Sequence, residues 1–176
     1  MLEIFLQAAA RVKTFHAELE AGHPLDQQFA QRLRTIVGDI DEDLQEQACE
    51  EVMVLCRAEQ FEDAAPIAGI LSICQPDNSR YTYLAAFCQQ NLGQEELALA
   101  MYGQSMLGSD PCASTLYRIG ECHASLGNFE EAIQAFDASI EAAREEPDEG
   151  HRVYELAEQR KAMAQRALEQ KATASA

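Results

Sequence analysis

The sequence predicts an all-α fold built from repeated helical hairpins. Three observations carry that expectation. Apolar residues recur at spacings of three and four, and no alternating strand pattern persists along the chain. The segment around Gly127 reappears 34 residues earlier around Gly93, and in part once more before that. Glycine and proline fall at the places where such helices have to stop.

The repeat is specific in its residues. SLGNFEEA aligns with NLGQEELA, which sets Ala132 over Ala98, Phe136 over Tyr102, Ser139 over Ser105 and Ile140 over Met106. Cys122 falls on Cys88 and Tyr117 on Tyr83. One further step back sets Phe129 over Phe61, FEEA over FEDA, and Ala132 over Ala64. A period of 34 is that of the tetratricopeptide repeat, a helix–turn–helix unit that buries its apolar face only by stacking on neighbours. The expected architecture is three tetratricopeptide-like hairpins forming a short right-handed solenoid, with N-terminal helices and a C-terminal capping helix. Gly93 and Gly127 end first helices by taking the left-handed conformation. Ala64, Ala98 and Ala132 leave room for close approach in the second helices. Tyr102 or Phe136, four residues later, fills the space between hairpins. The first repeat departs from the pattern, with Glu59 where the turn glycine is expected. The eleventh position carries Leu55, Gln89 or His123 in place of an aromatic residue.

In chain order, helices are expected at about 2–21 and 25–38, separated by Gly22-His23-Pro24. The repeats follow at about 45–76, 79–111 and 113–146, with Pro76, Pro111 and Pro147 marking the ends of second helices. A last helix is expected at about 150–170, then a frayed tail over Lys171–Ala176. The corresponding segments are 1–41 for capping or dimerisation, 42–147 for the repeats, and 148–176 for the final cap.

Length and composition narrow the function. The 176 residues are 47% apolar, enough for one domain with a helical extension and a core that needs no metal or disulfide. Thirteen basic against 30 acidic residues give a net charge of −17. Such a chain repels phosphate backbones and anionic lipid, which argues against nucleic-acid and membrane partners. The six cysteines, Cys49, Cys56, Cys74, Cys88, Cys112 and Cys122, form no CxxC framework and read as reduced, small apolar residues. Met1–Ala10 lacks a basic leader and is interrupted by Arg11 and Lys13, and no apolar run reaches 18 residues; a cytoplasmic protein is expected.

In a tetratricopeptide array the first helices line a concave groove. Positions five, nine and twelve of each lie on one helical face. They are Cys49, Met53 and Cys56 in the first repeat, Tyr83, Phe87 and Gln90 in the second, and Tyr117, Glu121 and Ala124 in the third. This face is apolar with polar tips. It suits Leu, Val or Pro side chains of an extended segment, with the Tyr hydroxyls and Gln90 or Asn91 bonding its backbone. The same stripes also suit a packed core, and Phe61 reads as a residue packing the turn. The clamp of Lys, Arg and Asn that grips a C-terminal carboxylate is missing from these positions.

With repeats and flanks placed, residues 45–170 resemble the class II chaperones of type III secretion systems, which attend hydrophobic translocator proteins. The residues that carry the resemblance are Phe61-Glu62-Asp63-Ala64, the apolar helix after it, Asp77-Asn78-Ser79-Arg80-Tyr81, Gly93-Gln94 and the third repeat with GECHASLGNFEEA. The resemblance implies a cytoplasmic, dimeric chaperone. It would hold a short extended segment of a hydrophobic secreted translocator protein in its groove and keep that client soluble before export. A constitutive repeat scaffold and a needle-subunit chaperone are the alternatives.

The N-terminal segment carries Leu2, Phe5, Leu6, Ala9, Val12 and Phe15, then Leu25, Phe29, Leu33, Ile36 and Val37, at amphipathic spacing. These residues cap the first repeat or form a dimer seam. Leu2, Phe5, Leu6, Phe29, Leu33 and Ile36 are the seam candidates that the resemblance favours. None of the four histidines, His16, His23, His123 and His151, has a second histidine or a cysteine three or four residues away, and no HExxH, GxSxG or phosphate-loop pattern occurs. Neither catalysis nor a metal or cofactor is expected.

Overall fold

The structure, a computed structural model, describes residues 42–107, 112–145 and 150–174. Among them are seven helices and no strand. In chain order they are α1 (Glu42–Arg57), α2 (Phe61–Cys74), α3 (Ser79–Asn91), α4 (Glu95–Ser105), α5 (Ala113–Ser125), α6 (Phe129–Glu145) and α7 (Gly150–Ala174). The helical expectation for 45–170 therefore holds, with bounds shifted by a few residues. The chain divides into two compact units at the Leu92–Gly93 bond. The expected helices at 2–21 and 25–38, and Pro111 and Pro147, lie outside the described residues.

The first unit contains α1, α2 and α3. Helix α1 begins with Glu42 and Asp43 and ends on Arg57, charges that match its dipole. It buries Ala48, Cys49 and Val52. Helix α2 packs against both α1 and α3. Being covered on two sides, it is apolar nearly all round, with Ala64, Ala65, Ile67, Ala68, Ile70 and Leu71 buried. Pro66 lies inside α2 and has no N–H to donate to the preceding turn. Helix α3 is capped by Asn78, whose Oδ1 accepts from the Arg80 N–H at 3.2 Å. It anchors itself through Tyr81, Thr82, Leu84, Ala85, Ala86 and Cys88.

The turn between α1 and α2 uses the same geometry as the glycine turns. Gly93 has φ 75°, Gly127 has φ 76°, and Glu59 has φ 59°. The three are spaced 34 residues apart, and only Glu59 bears the steric cost of a Cβ in the left-handed region. Glu59→Gly should therefore leave the melting temperature unchanged or raise it slightly, by up to about 1 kcal/mol of stability. Gly127→Ala should lower stability by about 1 kcal/mol. Parallel thermal melts followed by circular dichroism check both; equal losses at the two sites would contradict the shared turn geometry.

The second unit contains α4 to α7. Its core is built on Phe136 of α6, fully buried among Tyr117, Ala132, Ile140, Ala157 and Ala164. Helix α5 comes close to α6 because residue 120 is glycine: a Cβ there would lie 2.6 Å from two carbons of the Phe136 ring. Ser139, also fully buried, satisfies its hydroxyl by donating to the Ala113 carbonyl at 2.8 Å. In α4 the buried positions are Ala98, Tyr102 and Ser105, as the repeat spacing predicts. Helix α7 lies along α6 and also reaches α5.

The expected frayed tail is corrected in part. Helix α7 runs on through Ala174. Its last turns are held by Lys171, whose Nζ donates to the Gly127 carbonyl at 3.3 Å and sits 5.7 Å from the centre of the Phe129 ring. The αL turn leaves the Gly127 carbonyl facing a cation, a contact across 44 residues that no local pattern announces.

Candidate peptide-binding face

The sequence-predicted groove residues of the first unit divide into exposed and covered positions. On α3, Tyr83, Phe87 and Gln90 are half-buried and Asn91 is exposed, while Leu84, Ala85, Ala86 and Cys88 face the core. Phe87 meets Phe61 of α2 edge to face, with ring centres 5.8 Å apart and planes at 78°. Phe61 is thus both a turn-packing residue and part of the same aromatic surface. The Asn91 amide nitrogen donates to the Phe87 carbonyl at 2.8 Å and so serves its own helix end. One of its two amide N–H groups is used there.

The α1 stripe turns toward α3. Met53 and Cys56 are half-buried, but Cys49 has no exposed surface. Burial, ahead of the opposing Arg80 charge, pushes the Cys49 thiol above its ordinary range. Cys49 is a core residue of the α1–α3 seam, because a stripe at i, i+4, i+7 slants across a helix and its first member passes under the neighbour. Above it Arg80 reaches from α3 to Glu46 of α1 at 3.0 Å, with its second nitrogen 3.7 Å from the Met53 sulfur. This ion pair is about half exposed on both sides, so it orients more than it stabilises. The Cys56 and Cys88 sulfurs lie 3.6 Å apart across the same seam.

Met53, Cys56, Phe61, Tyr83 and Phe87 are all partly exposed apolar or amphipathic residues of one compact unit, with Phe87 touching Phe61 and Arg80 reaching Met53. Thioether, thiol and aromatic groups take up apolar side chains, and amide and guanidinium groups at the rim take up backbone carbonyls. Among the described residues no group of three or more His, Cys, Asp or Glu is placed to hold a metal.

Tyr117 is in a different situation. It belongs to the second unit's core, 7% exposed, with its ring 5.8 Å from Phe136. Its hydroxyl donates to Glu121 at 2.8 Å and accepts from the Arg160 Nε of α7 at 3.5 Å. Glu121 also pairs with Arg160 at 3.3 Å and with Arg118 at 2.9 Å. Burial, more than these partners, pushes the Tyr117 hydroxyl above its ordinary range. The expected groove residue is therefore covered by a helix from the end of the chain. Arg160→Ala removes one cation from this cluster and leaves Arg118 on Glu121. The expected loss is about 0.5–1 kcal/mol, read as a small drop in melting temperature that high salt reduces. A loss several times larger would make Arg160 the chief tie between α7 and α5. The six N-terminal dimerisation candidates lie outside the described residues.

The tetratricopeptide repeat family model matches residues 113–146, the same bounds read from the period for the third repeat. No curated protein sequence matches the chain. Solved structures do. The crystal structure of PcrH from Pseudomonas aeruginosa in complex with the chaperone binding region of PopD is 26% identical, covers 75% of this chain and 96% of its own, and superposes with a TM-score of 0.65. The Yersinia enterocolitica type III secretion chaperone SycD in complex with a peptide of the translocator YopD is 22% identical, covers 72% and 98%, and has a TM-score of 0.62. SycD in an alternative dimer is 22% identical, covers 72% and 98%, and has a TM-score of 0.63. The resemblance to the translocator chaperones and the tetratricopeptide-type helical fold are both borne out.

Proposed function

We propose that this chain is a type III secretion chaperone that binds hydrophobic translocator proteins and keeps them soluble and competent for export. The observation that carries the reading is the apolar face of α1 and α3, with the aromatic edge of Phe61, on a fold shared with a chaperone solved holding a translocator's chaperone-binding region. Half-buried Met53, Cys56, Tyr83 and Phe87 offer apolar contact to client side chains, and Gln90 a backbone partner. The net charge of −17 keeps a protein with such a surface in solution, and helps hold an apolar client there too. Binding is through side chains and hydrogen bonds, without a cofactor or a catalytic step. The protein acts in the bacterial cytoplasm, before the client is exported. The N-terminal segment 1–41 supplies a homodimer contact, and the segments 42–147 and 148–176 supply the repeats and the end cap.

Co-expression tests this directly. The tagged chain is expressed in its native host under conditions that repress secretion, and co-purifying proteins are identified by mass spectrometry. The expected partner is a hydrophobic secreted protein that is insoluble when expressed alone and soluble with this chain. Recovery of already soluble cytoplasmic subunits would make the chain a constitutive scaffold. Recovery of a small needle subunit would leave the fold intact but change the client class.

A further inference from the structure

We propose that Cys56 of α1 and Cys88 of α3 are a redox modification site, a dithiol that peroxide converts to a disulfide crosslinking the first helices of the first and second hairpins. The two sulfurs lie 3.6 Å apart and are 32 residues apart in sequence. They already share a hydrogen bond, so the two thiols face one another across the seam. Forming the bond brings the sulfurs to about 2.05 Å, an approach of roughly 1.5 Å. That is a side-chain rotation with a small helix adjustment, since nothing but the thiol protons stands between them at this distance.

The two thiols are unequal in ways that give each a role. Cys56 is half-buried and so open to a small oxidant, whereas Cys88 is fully buried. The hydrogen bond from Cys88 holds the Cys56 thiol below its ordinary range, against the opposing effect of burial. The same hydrogen bond and burial hold the Cys88 thiol well above it. Cys56 is therefore the attacking sulfur and Cys88 the resolving one. The Cys56 thiolate attacks one oxygen of hydrogen peroxide. The O–O bond breaks, Cys56 becomes a sulfenic acid, and the departing hydroxide takes up a proton to give water. The Cys88 sulfur then attacks the Cys56 sulfur. The S–S bond forms, the S–O bond breaks, and the second oxygen leaves as water with the Cys88 proton. The dithiol loses two electrons and peroxide gains them.

The disulfide closes a loop that contains all of α2, so it restrains the unfolded chain strongly. It also ties α1 to α3, the helices that carry Met53 and Phe87, and stiffens the face described above. The crosslink itself does not depend on what that face binds.

The full chain is reduced, freed of reductant, treated with hydrogen peroxide and alkylated. It is then digested with trypsin and a glutamyl endopeptidase without reduction. This digestion places Cys56 alone in 52–57, apart from Cys49, and Cys88 alone in 81–95, apart from Cys74 and Cys112. The expected product is peptide 52–57 joined to 81–95, two hydrogens lighter than the sum. It should be absent in Cys56→Ser and retained in Cys112→Ser, where the exposed thiol is removed. The oxidised chain should melt about 5 °C or more above the reduced one, and dithiothreitol should reverse the change. Cys56 found only as sulfenic or sulfinic acid, or joined only to Cys112 of another chain, would overturn the proposal. So would a linked product that melts no higher than the dithiol. Cys56→Ser exchanges a half-buried group for a near isostere, so the variant is expected to fold, with its circular dichroism spectrum as the check.

Discussion

Phe136→Ala is expected to cost about 3–5 kcal/mol, the largest loss from any single truncation in the second unit. The ring is fully buried and is the one around which α5, α6 and α7 meet. Tyr117 of α5 packs against it from one side at 5.8 Å, and Ala157 and Ala164 of α7 belong to the same cluster. Gly120 lies so close that its missing Cβ is what admits the ring. Ala132, Ala157, Ala164 and Gly120 have no side chain that can extend into the void left by truncation, and Tyr117 and Ile140 are themselves held in the core, so the cavity closes only in part. Domains of this size are stable by only about 5–15 kcal/mol, so the loss is a large share of the total. Urea unfolding followed at the helical band measures it, as a lower midpoint with little change in slope. Phe136→Leu should lose far less. Gly120→Leu should lose a comparable amount by the opposite route, overpacking the same contact. A stability loss under about 1 kcal/mol for Phe136→Ala would mean that α7 does not close on α6 as described.

The features that were legible before the structure share a property: each is a local requirement written at a fixed interval. A left-handed turn at 93 and 127 needs glycine, and the close approach of second helices needs alanine at 64, 98 and 132. The aromatic filler at 102 and 136 follows from the space those alanines leave. Even Glu59, which breaks the glycine pattern, sits at φ 59° because the period fixes the turn and the residue complies. Pro76 likewise falls just past the end of α2.

The misplaced site residues share the opposite property, since their surroundings come from elsewhere in the chain. A helical stripe states which residues share a face but not what that face meets. Cys49 faces α3 rather than solvent because Arg80 and Tyr81 arrive from the next hairpin. Tyr117 is covered because Arg160, 43 residues later, reaches back across it. The hold of Lys171 on the Gly127 carbonyl has the same origin. The thiol pair at 56 and 88 had a weak signal. Both positions are apolar-face cysteines in first helices, two residues short of one repeat apart, and adjacent first helices are neighbours in such an array.

Replacing Tyr83 and Phe87 together by alanine is expected to weaken client capture by about 100-fold or more while the helical melt survives. Both side chains are half-buried on the face of α3 that the core does not use. The helix keeps Tyr81, Leu84, Ala85, Ala86 and Cys88 in the core, and keeps its Asn78 cap, so most of its anchorage survives the double substitution. Each aromatic ring that takes up an apolar client side chain contributes on the order of 2 kcal/mol before ordering costs. Two such losses correspond to about 10²–10³ in the dissociation constant. Phe87 also gives up its edge contact with Phe61, a stability loss of about 1 kcal/mol that lowers the melting temperature without unfolding the unit. Phe87→Leu separates the two effects. Leucine retains apolar volume toward α2 but lacks the ring, so it should melt near the parent and still bind more weakly. The readout is co-purification of the client identified by co-expression, followed by titration of its binding segment by fluorescence polarisation. Undiminished binding with an intact melt would move the client away from α3 altogether. A collapse of the melt in both Tyr83→Ala/Phe87→Ala and Phe87→Leu would make these residues part of the fold's own core.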